Sequence, residues 1–299
     1  MSIYFLKKWL KGIGSLSPTQ MIVFSFVVII TVGTILLCLP WATRGSPLSP
    51  LDALFTAVSA TCVTGLTVVN IGSEFTFYGQ IVVLVLIQLG GLGIMTFSTF
   101  FLYLLGRRVS MRGREIIDST LSHIPVHNIS SLLRRIMIIV FFVEGVGVLI
   151  LTLGWLRIYP LPKALYHGVF HAISAFCNAG FSLYGNSFEG FRNDLIINWV
   201  VIGLIVLGGL GFVVLIDFKH LLRRPRGALG RLSFHSKVVL TVTFFLIFIG
   251  TLFIFWVEKS HALSDIKPTT GFLVALFQSV TARTAGFNTV RIGSLTNGA

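Results

Sequence analysis

Long apolar runs alternate along this chain with shorter segments in which polar residues, glycine and proline collect. Five runs come close to or exceed the roughly 20 residues with which a helix crosses a bilayer. Their only charged residue is Glu144, and they lie at about 21–39, 79–105, 136–155, 195–216 and 238–257. The pattern predicts an all-α membrane protein that crosses the bilayer five times.

Composition excludes most soluble classes of protein. The 299 residues are 55% hydrophobic and 11% charged, with a mean hydropathy of +0.91, whereas a soluble domain has about 25% charged residues. The three cysteines, Cys38, Cys62 and Cys177, lack CxxC spacing, so they indicate neither a disulfide framework nor a zinc site. No cluster of catalytic side chains stands out, and we do not expect an enzyme.

The net charge of +13 would suit a nucleic-acid partner, but its distribution indicates membrane orientation instead. Fifteen of the 23 Lys and Arg residues fall in the segments 1–16, 107–135 and 218–237. Cytoplasmic loops of membrane proteins carry such an excess. We therefore expect a multi-pass protein of the cytoplasmic membrane, with its N-terminus inside and no nucleic-acid partner.

One order of elements occurs twice and begins a third time: a span, a short helix, a glycine-bearing loop and a return span. The short helices are predicted at about 49–60, 160–176 and 269–281, and the loops after them contain Gly65, Gly180 and Gly286. The predicted organisation is a cytoplasmic segment at 1–16, a first pore unit at 17–106, a basic loop at 107–135, a second pore unit at 136–217, a basic loop at 218–237 and an incomplete third unit at 238–299.

The three glycine loops have the chemistry of a cation pathway. Irregular backbone at membrane depth is tolerated where it lines a water-filled path, and backbone carbonyls can replace the water around a cation. Each short helix ends at its loop, so the negative end of its dipole faces the site, which disfavours an anion. The predicted ion-binding carbonyls are those of Cys62, Val63, Thr64 and Gly65, of Cys177, Asn178, Ala179 and Gly180, and of Thr284, Ala285 and Gly286.

Arg283 stands three residues before Gly286, where the other two loops have cysteine. A positive charge about 4 Å from a potassium ion would cost about 4 kcal/mol at an effective dielectric of 20. We therefore expect the Arg283 side chain behind the loop, where it supports the filter by bonding to a carbonyl of a neighbouring short helix or to an outer acid. The alternative is an arginine that extends to the outer surface and supports nothing.

The sequence Leu-Gly-Gly-Leu-Gly occurs in both return spans. Its glycines are candidates for a gating hinge, and small residues also let membrane helices pack closely. They are Gly90, Gly91 and Gly93 in the first span, and Gly208, Gly209 and Gly211 in the second.

Three further polar residues lie in predicted membrane segments. Glu144 is either a functional carboxylate or a polar group used for packing. His167 and His171 are four residues apart on the second short helix. Because a metal site would need more ligands, we expect them to form hydrogen bonds or to act near the outer mouth.

Through VTGLT at 63–67, CNAGFS at 177–182 and TARTAGFN at 281–288, the chain resembles the membrane subunit of the Trk/Ktr/HKT superfamily of potassium transporters, most of all the bacterial KtrB type. The resemblance covers essentially the whole chain. It implies four span–pore helix–filter loop–span units around a pseudo-four-fold pore, of which two and a half are present. The third return span and the fourth unit are missing from this sequence.

The resemblance also implies a homodimer and a cytoplasmic nucleotide-binding regulatory subunit of the KtrA or TrkA kind. It implies potassium as the transported ion, sodium as a candidate coupling or activating ion, and no covalent cofactor. The function expected is potassium uptake across the cytoplasmic membrane through a carbonyl-lined selectivity filter. The alternative is a truncated, non-conducting scaffold or assembly fragment of such a system.

Overall fold

The computed structural model describes residues 18–93, 129–212, 214–217, 232–264 and 266–296. The predicted cytoplasmic segment 1–16 and most of the predicted basic loops 107–135 and 218–237 lie outside the described residues. Within the described ranges the regular structure is helical, apart from an isolated antiparallel bridge between Thr43 and Phe75. The expected all-α class is therefore confirmed for this part of the chain.

The first part of the fold consists of α1 (Pro18–Cys38), α2 (Pro50–Thr61), the single turn α3 (Ile71–Glu74) and α4 (Phe77–Gly91). Local sequence explains where the short helix α2 begins. The Ser49 hydroxyl accepts a hydrogen bond from the Asp52 N–H at 3.1 Å. Pro50 occupies the first turn, where its missing N–H costs nothing.

The second part repeats this order with α5 (Ile129–Trp155), α6 (Leu161–Phe176), a 3₁₀ turn (Glu189–Phe191) and α7 (Leu195–Gly209). The third part contains α8 (Phe234–Glu258), α9 (Pro268–Thr284) and a 3₁₀ turn (Ile292–Ser294). The helices α5 and α8 begin several residues earlier than the apolar runs at 136 and 238. Ser233 caps α8 by accepting the Ser236 N–H at 3.2 Å.

Two helices in the described residues are long and apolar enough to cross a membrane, Arg134–Trp155 and Phe234–Glu258, each with a mean hydropathy of 2.7. Three shorter apolar helices are Val23–Cys38, Phe77–Gly91 and Leu195–Gly209. The return spans were expected to run to about 105 and 216. The helices α4 and α7 end at their glycine pairs, because Gly93 and Gly211 adopt the left-handed conformation, with φ of 76° and 84°. Residues 212 and 214–217 are helical again after the second pair, whereas 94–105 lie outside the described residues.

The short helices lie at the centre of the packing. In each of the three parts the short helix packs against the long helix that precedes it: α2 against α1, α6 against α5 and α9 against α8. The return helices also contact the next part of the chain, since α4 packs against α6 and α7 against α9. The three glycine loops are thereby brought together.

The glycines of the return helices lie where the short helices end. A Cβ atom at Gly90 would overlap the carbonyl of Thr61, and one at Gly208 would overlap the carbonyl of Phe176. Thr61 and Phe176 each stand four residues before the loop glycine. This contact is the close approach that helix packing through small residues requires. A hinge function of the same glycines stays a prediction.

We predict that Gly208→Ala destabilises the protein, because its new methyl group would meet the backbone of α6, which cannot move aside. Overpacking of this kind costs about 1–3 kcal/mol. The matched control is Gly203→Ala in the same helix, where a Cβ atom meets nothing within 4 Å and alanine favours the helix by up to about 1 kcal/mol. Thermal unfolding in detergent measures both, and equal midpoints for the two variants would contradict the packing described here.

Candidate functional site

The first glycine loop leaves α2 through a hydrogen-bonded turn. The N–H of Val63 donates to the carbonyl of Ala60 at 3.3 Å, and the N–H of Thr64 donates to the carbonyl of Ser59 at 2.8 Å. Val63 is left-handed, with φ of 57°. This is the Schellman arrangement, in which one left-handed residue stops the helix and the two residues after its cap bond back to it.

The second glycine loop repeats the arrangement. Asn178, with φ of 58°, donates its N–H to the carbonyl of Ala175 at 3.1 Å, and the N–H of Ala179 donates to Ser174 at 2.8 Å. The Asn178 side chain points away from this turn. With its amide oriented to satisfy both neighbours, it donates to the carbonyl of Ile205 at 3.1 Å and accepts from the N–H of Gly209 at 3.2 Å. The loop is thus tied to the end of α7.

A serine hydroxyl braces each of these two loops. Ser59 donates to the carbonyl of Leu66 at 2.7 Å, and Ser174 donates to the carbonyl of Phe181 at 2.8 Å. Each serine stands six residues before the loop glycine, and each acceptor follows that glycine directly. Sequence reasoning missed these two residues, although their identical spacing was a signal that could have revealed them.

The third loop is built differently. The helix α9 continues to Thr284, and the N–H groups of Ala285 and Gly286 both donate to the carbonyl of Thr281, at 2.9 and 3.3 Å. Val280 occupies the position of the bracing serine. Arg283 lies half-buried in the last helical turn, and no hydrogen bond or ion pair of its side chain is found within the described ranges. Its role as a filter support stays a prediction.

The three loop glycines share one conformation, with φ of 82° at Gly65, 71° at Gly180 and 76° at Gly286. They also follow one another in space. An ideal Cβ atom at Gly65 would lie 2.6 Å from the carbonyl oxygen of Ala179, and one at Gly180 would lie 2.5 Å from that of Ala285. In both cases the glycine of one loop therefore contacts the residue that precedes the glycine of the next loop. A Cβ atom at Gly286 would meet only the Cα of Gly180, at 3.6 Å.

The backbone carbonyls that the sequence predicted as ion ligands have oxygens available for a ligand. Among the described residues, no N–H or O–H group donates to the carbonyls of residues 62–65, 177–180 or 284–286. A cavity of about 420 Å³ adjoins them and is lined in part by Gly65, Gly180 and Gly286. The arrangement offers a cation several partially negative oxygens from three segments of chain.

One carboxylate lines this cavity. Glu189 accepts a hydrogen bond from the Asn288 amide at 3.2 Å, and its other oxygen lies 3.8 Å from Nε of Arg291, whose side chain is 82% exposed. A pair this long, with a largely exposed arginine, contributes little to stability. Glu189 therefore places negative charge beside the cavity, and the sequence did not single it out.

His171 forms hydrogen bonds, as the sequence suggested. Its Nδ1 lies 2.8 Å from the carbonyl of His167, and its Nε2 lies 3.1 Å from the Ser182 hydroxyl and accepts the N–H of Leu183 at 3.3 Å. The ring thus holds the segment that follows the second loop. No group of three or more potential metal ligands occurs in the part of the chain that the structure describes.

Glu144 is paired. Both of its oxygens accept from the Gln88 amide, at 3.0 and 3.3 Å. The Oε1 atom of Gln88 lies 4.0 Å from the Cys177 thiol, which donates to it. This chain of contacts joins α5, α4 and the base of the second loop, and a Cβ atom at Gly91 would lie only 2.5 Å from Sγ of Cys177.

We predict that Ser174→Ala lowers the free energy of unfolding by about 1–3 kcal/mol, because the buried carbonyl of Phe181 would lose its side-chain donor. Ser294→Ala is the matched control, since the Ser294 hydroxyl also donates to a backbone carbonyl, at 2.7 Å, but at an exposed position. Denaturant unfolding in detergent measures the difference. A Ser174→Ala variant as stable as the control would show that this brace is dispensable.

The chain is similar in sequence to several known proteins. The family described as TrkH, cation transport protein, matches residues 2–298. Ktr system potassium uptake protein B of Bacillus subtilis (strain 168) is 37% identical over 293 residues, which are 97% of this chain and 64% of that protein. The protein of the same name from Vibrio alginolyticus is 38% identical over 280 residues, 93% of this chain and 60% of that protein.

Potassium/sodium uptake protein NtpJ of Enterococcus hirae is 34% identical over 278 residues, covering 92% of this chain and 60% of its own length. The chain therefore spans less than two thirds of the length of these relatives. The crystal structure of the potassium transporter TrkH from Vibrio parahaemolyticus has the same fold, with a TM-score of 0.63 and 20% identity over 90% of this chain and 51% of that one. The chain belongs to the TrkH family of cation transport proteins.

Proposed function

We propose that this chain contributes three of the four sides of a potassium-selective filter in the cytoplasmic membrane. The observation that carries the proposal is the set of carbonyls at residues 62–65, 177–180 and 284–286, to which no described group donates, in three loops whose glycines line one cavity. An ion that enters the filter would exchange its hydration water for these oxygens. Arg283 would stand behind the third loop as its support.

The short helices favour a cation in this position. The helices α2, α6 and α9 all end at their loops, so the partial negative charge of each C-terminus adds to that of the carbonyls. The negative charge of Glu189 at the cavity would raise the local concentration of cations before they lose water. An anion would instead face the negative ends of all three helix dipoles, which disfavour it.

Potassium is the ion that the relatives' names indicate, since two of the proteins compared are potassium uptake proteins and a third is a potassium/sodium uptake protein. Each loop of this chain has a single glycine in the left-handed conformation at the filter. Val63 and Asn178 add a second left-handed residue to the first two loops, and the third loop has no counterpart. Because the three loops thus present different backbones to an ion, we propose only moderate rejection of sodium. Sodium is also a candidate coupling ion.

The orientation that we propose places the basic segments and the N-terminus inside the cell, and the 420 Å³ cavity outside. A cysteine introduced at Ser46 should then react with an impermeant maleimide from outside. The family resemblance supports a homodimer that binds a cytoplasmic nucleotide-binding regulatory subunit.

The arrangement of the loops supports a fourth side. Gly65 meets the second loop and Gly180 meets the third, whereas Gly286 has no corresponding carbonyl beside it among the described residues. We propose that a further unit of the same kind completes the ring, consistent with the greater length of the relatives.

The main test is Gly65→Ser in a chain completed with a fourth unit. A side chain at φ of +82° is strained by roughly 1–2 kcal/mol, and its Cβ would press on the carbonyl oxygen of Ala179. Potassium uptake and selectivity over sodium should both fall in a bacterial strain that lacks its own uptake systems. The matched control is Gly45→Ser, where a Cβ meets nothing within 4 Å. Unchanged uptake by Gly65→Ser would remove the first loop from the filter.

The rival candidate is a scaffold that does not conduct. For the 299-residue chain alone we expect no rubidium flux into liposomes, because three carbonyl-bearing sides leave the ion path open to lipid. The same chain completed with a fourth unit should conduct. Flux by the chain alone would show that the fourth side is dispensable or that copies of the chain supply it. No flux in either form would favour the scaffold.

A further inference from the structure

A second cavity, of about 340 Å³, lies between the first and second parts of the fold. Its walls come from the loop after α1, from α3 and α4, and from α6 with the segment that follows the second glycine loop. The side chains that matter for its chemistry are those of Arg44, Tyr159, Lys163, Tyr166, His167 and Tyr184. Tyr184 also lines the cavity at the glycine loops, so the two cavities are neighbours.

The charge of this second cavity is positive and uncompensated. It contains Arg44 and Lys163 and is lined by no carboxylate. Neither cation forms an ion pair with a described residue. The ammonium group of Lys163 lies 4.3 Å from the ring centroid of Tyr159, which holds it over an aromatic face.

The start of α6 adds to this charge. The helix begins at Leu161, and no side chain caps its N-terminus, where Pro160 stands. Lys163 lies in this first turn and lines the cavity, so the positive end of the helix dipole adds to the charge of its ammonium group. The geometry therefore favours a ligand with concentrated negative charge.

The wall of the cavity is held in place before any ligand arrives. The Tyr166 hydroxyl donates to Oε1 of Gln80 at 2.5 Å, and the Gln80 amide donates to the carbonyls of Ile71 at 3.0 Å and Phe75 at 3.2 Å. His167 is only 7% exposed, and its Nδ1 has no hydrogen-bond partner among the described residues. A preorganised wall reduces the entropy lost on binding.

The cavity adjoins a row of aromatic side chains of the kind that marks a membrane interface. The ring of Tyr166 lies 5.1 Å from that of Phe77, which lies 5.8 Å from Tyr78, which lies 6.3 Å from Trp41. Trp41 and Tyr78 are 42% and 65% exposed. Such a row lies at the level of the lipid headgroups, which carry phosphate.

We propose that this cavity binds the phosphate group of an anionic phospholipid, with Arg44 and Lys163 as its charged partners. The guanidinium of Arg44 can donate two parallel hydrogen bonds to phosphate oxygens, and the positive end of the α6 dipole adds to the attraction. Inorganic phosphate shares this chemistry and is the other source of the same group. The proposal is independent of ion conduction.

The test measures binding to the delipidated protein in nonionic detergent. Three radiolabelled probes are compared: dioctanoyl phosphatidylglycerol, dioctanoylglycerol, which lacks the phosphate, and inorganic phosphate. We expect saturable binding of phosphatidylglycerol and none of dioctanoylglycerol. The double variant Arg44→Gln/Lys163→Gln should weaken the affinity for phosphatidylglycerol by about tenfold or more, because each charge-assisted contact is worth about that factor.

The control variant is Lys259→Gln/Arg291→Gln, which removes two cations that do not line the cavity and should bind phosphatidylglycerol unchanged. Arg44→Lys, which keeps the charge, should bind better than Arg44→Gln. Equal unfolding midpoints would establish that the variants are folded. Saturable binding of inorganic phosphate that the double variant loses would identify the free anion as the ligand. Unaltered lipid binding by the double variant, or equal binding of dioctanoylglycerol, would overturn the proposal.

Discussion

Backbone groups at the end of a helix have no partner within that helix, and this constraint governs the centre of the molecule. The first two glycine loops pair their N–H groups with the last helical carbonyls through Schellman turns, so the N–H groups are satisfied and the loop carbonyls are left over. Water or an ion must then pair with these oxygens, because a bare carbonyl in an apolar setting is costly. The same turn that ends the helix therefore leaves free the carbonyls that we propose bind the ion.

The loops need neighbours without side chains, and the return helices supply them. The carbonyls of Thr61 and Phe176 occupy the space that a Cβ atom would fill at Gly90 and Gly208. Behind the second loop, Cys177 meets Gln88, which in turn holds both oxygens of Glu144. Among the described residues, the hydrogen-bond partner of this carboxyl group within an apolar helix is thus an amide from the preceding part of the chain. The second loop is consequently tied to both parts at once.

The sequence predicted the helices near the loops well. Proline, serine and glycine start or end a helix through their own backbone geometry or hydrogen bonds, so their positions in the sequence are enough to locate its ends. Other features depend on contacts between distant residues. The hydroxyls of Ser59 and Ser174 reach carbonyls beyond the glycine only when the turn has formed. The return helices were expected to continue, since hydropathy does not change at Gly93 or Gly211. Their breaks come from left-handed φ angles, which apolar periodicity does not report.

The loop glycine has the same backbone conformation in all three loops, but the backbone strain of the residues before it differs from loop to loop. A β-branched residue such as Val63 is strained at φ of 57°, whereas Asn178 tolerates that region and gains hydrogen bonds from its amide. The third loop avoids the second left-handed residue, because α9 extends to Thr284 and only Gly286 reverses. The carbonyls that precede the glycines therefore differ in direction between the third loop and the first two. An ion bound among them would meet an asymmetric set of oxygens, with the first two loops as the matched pair.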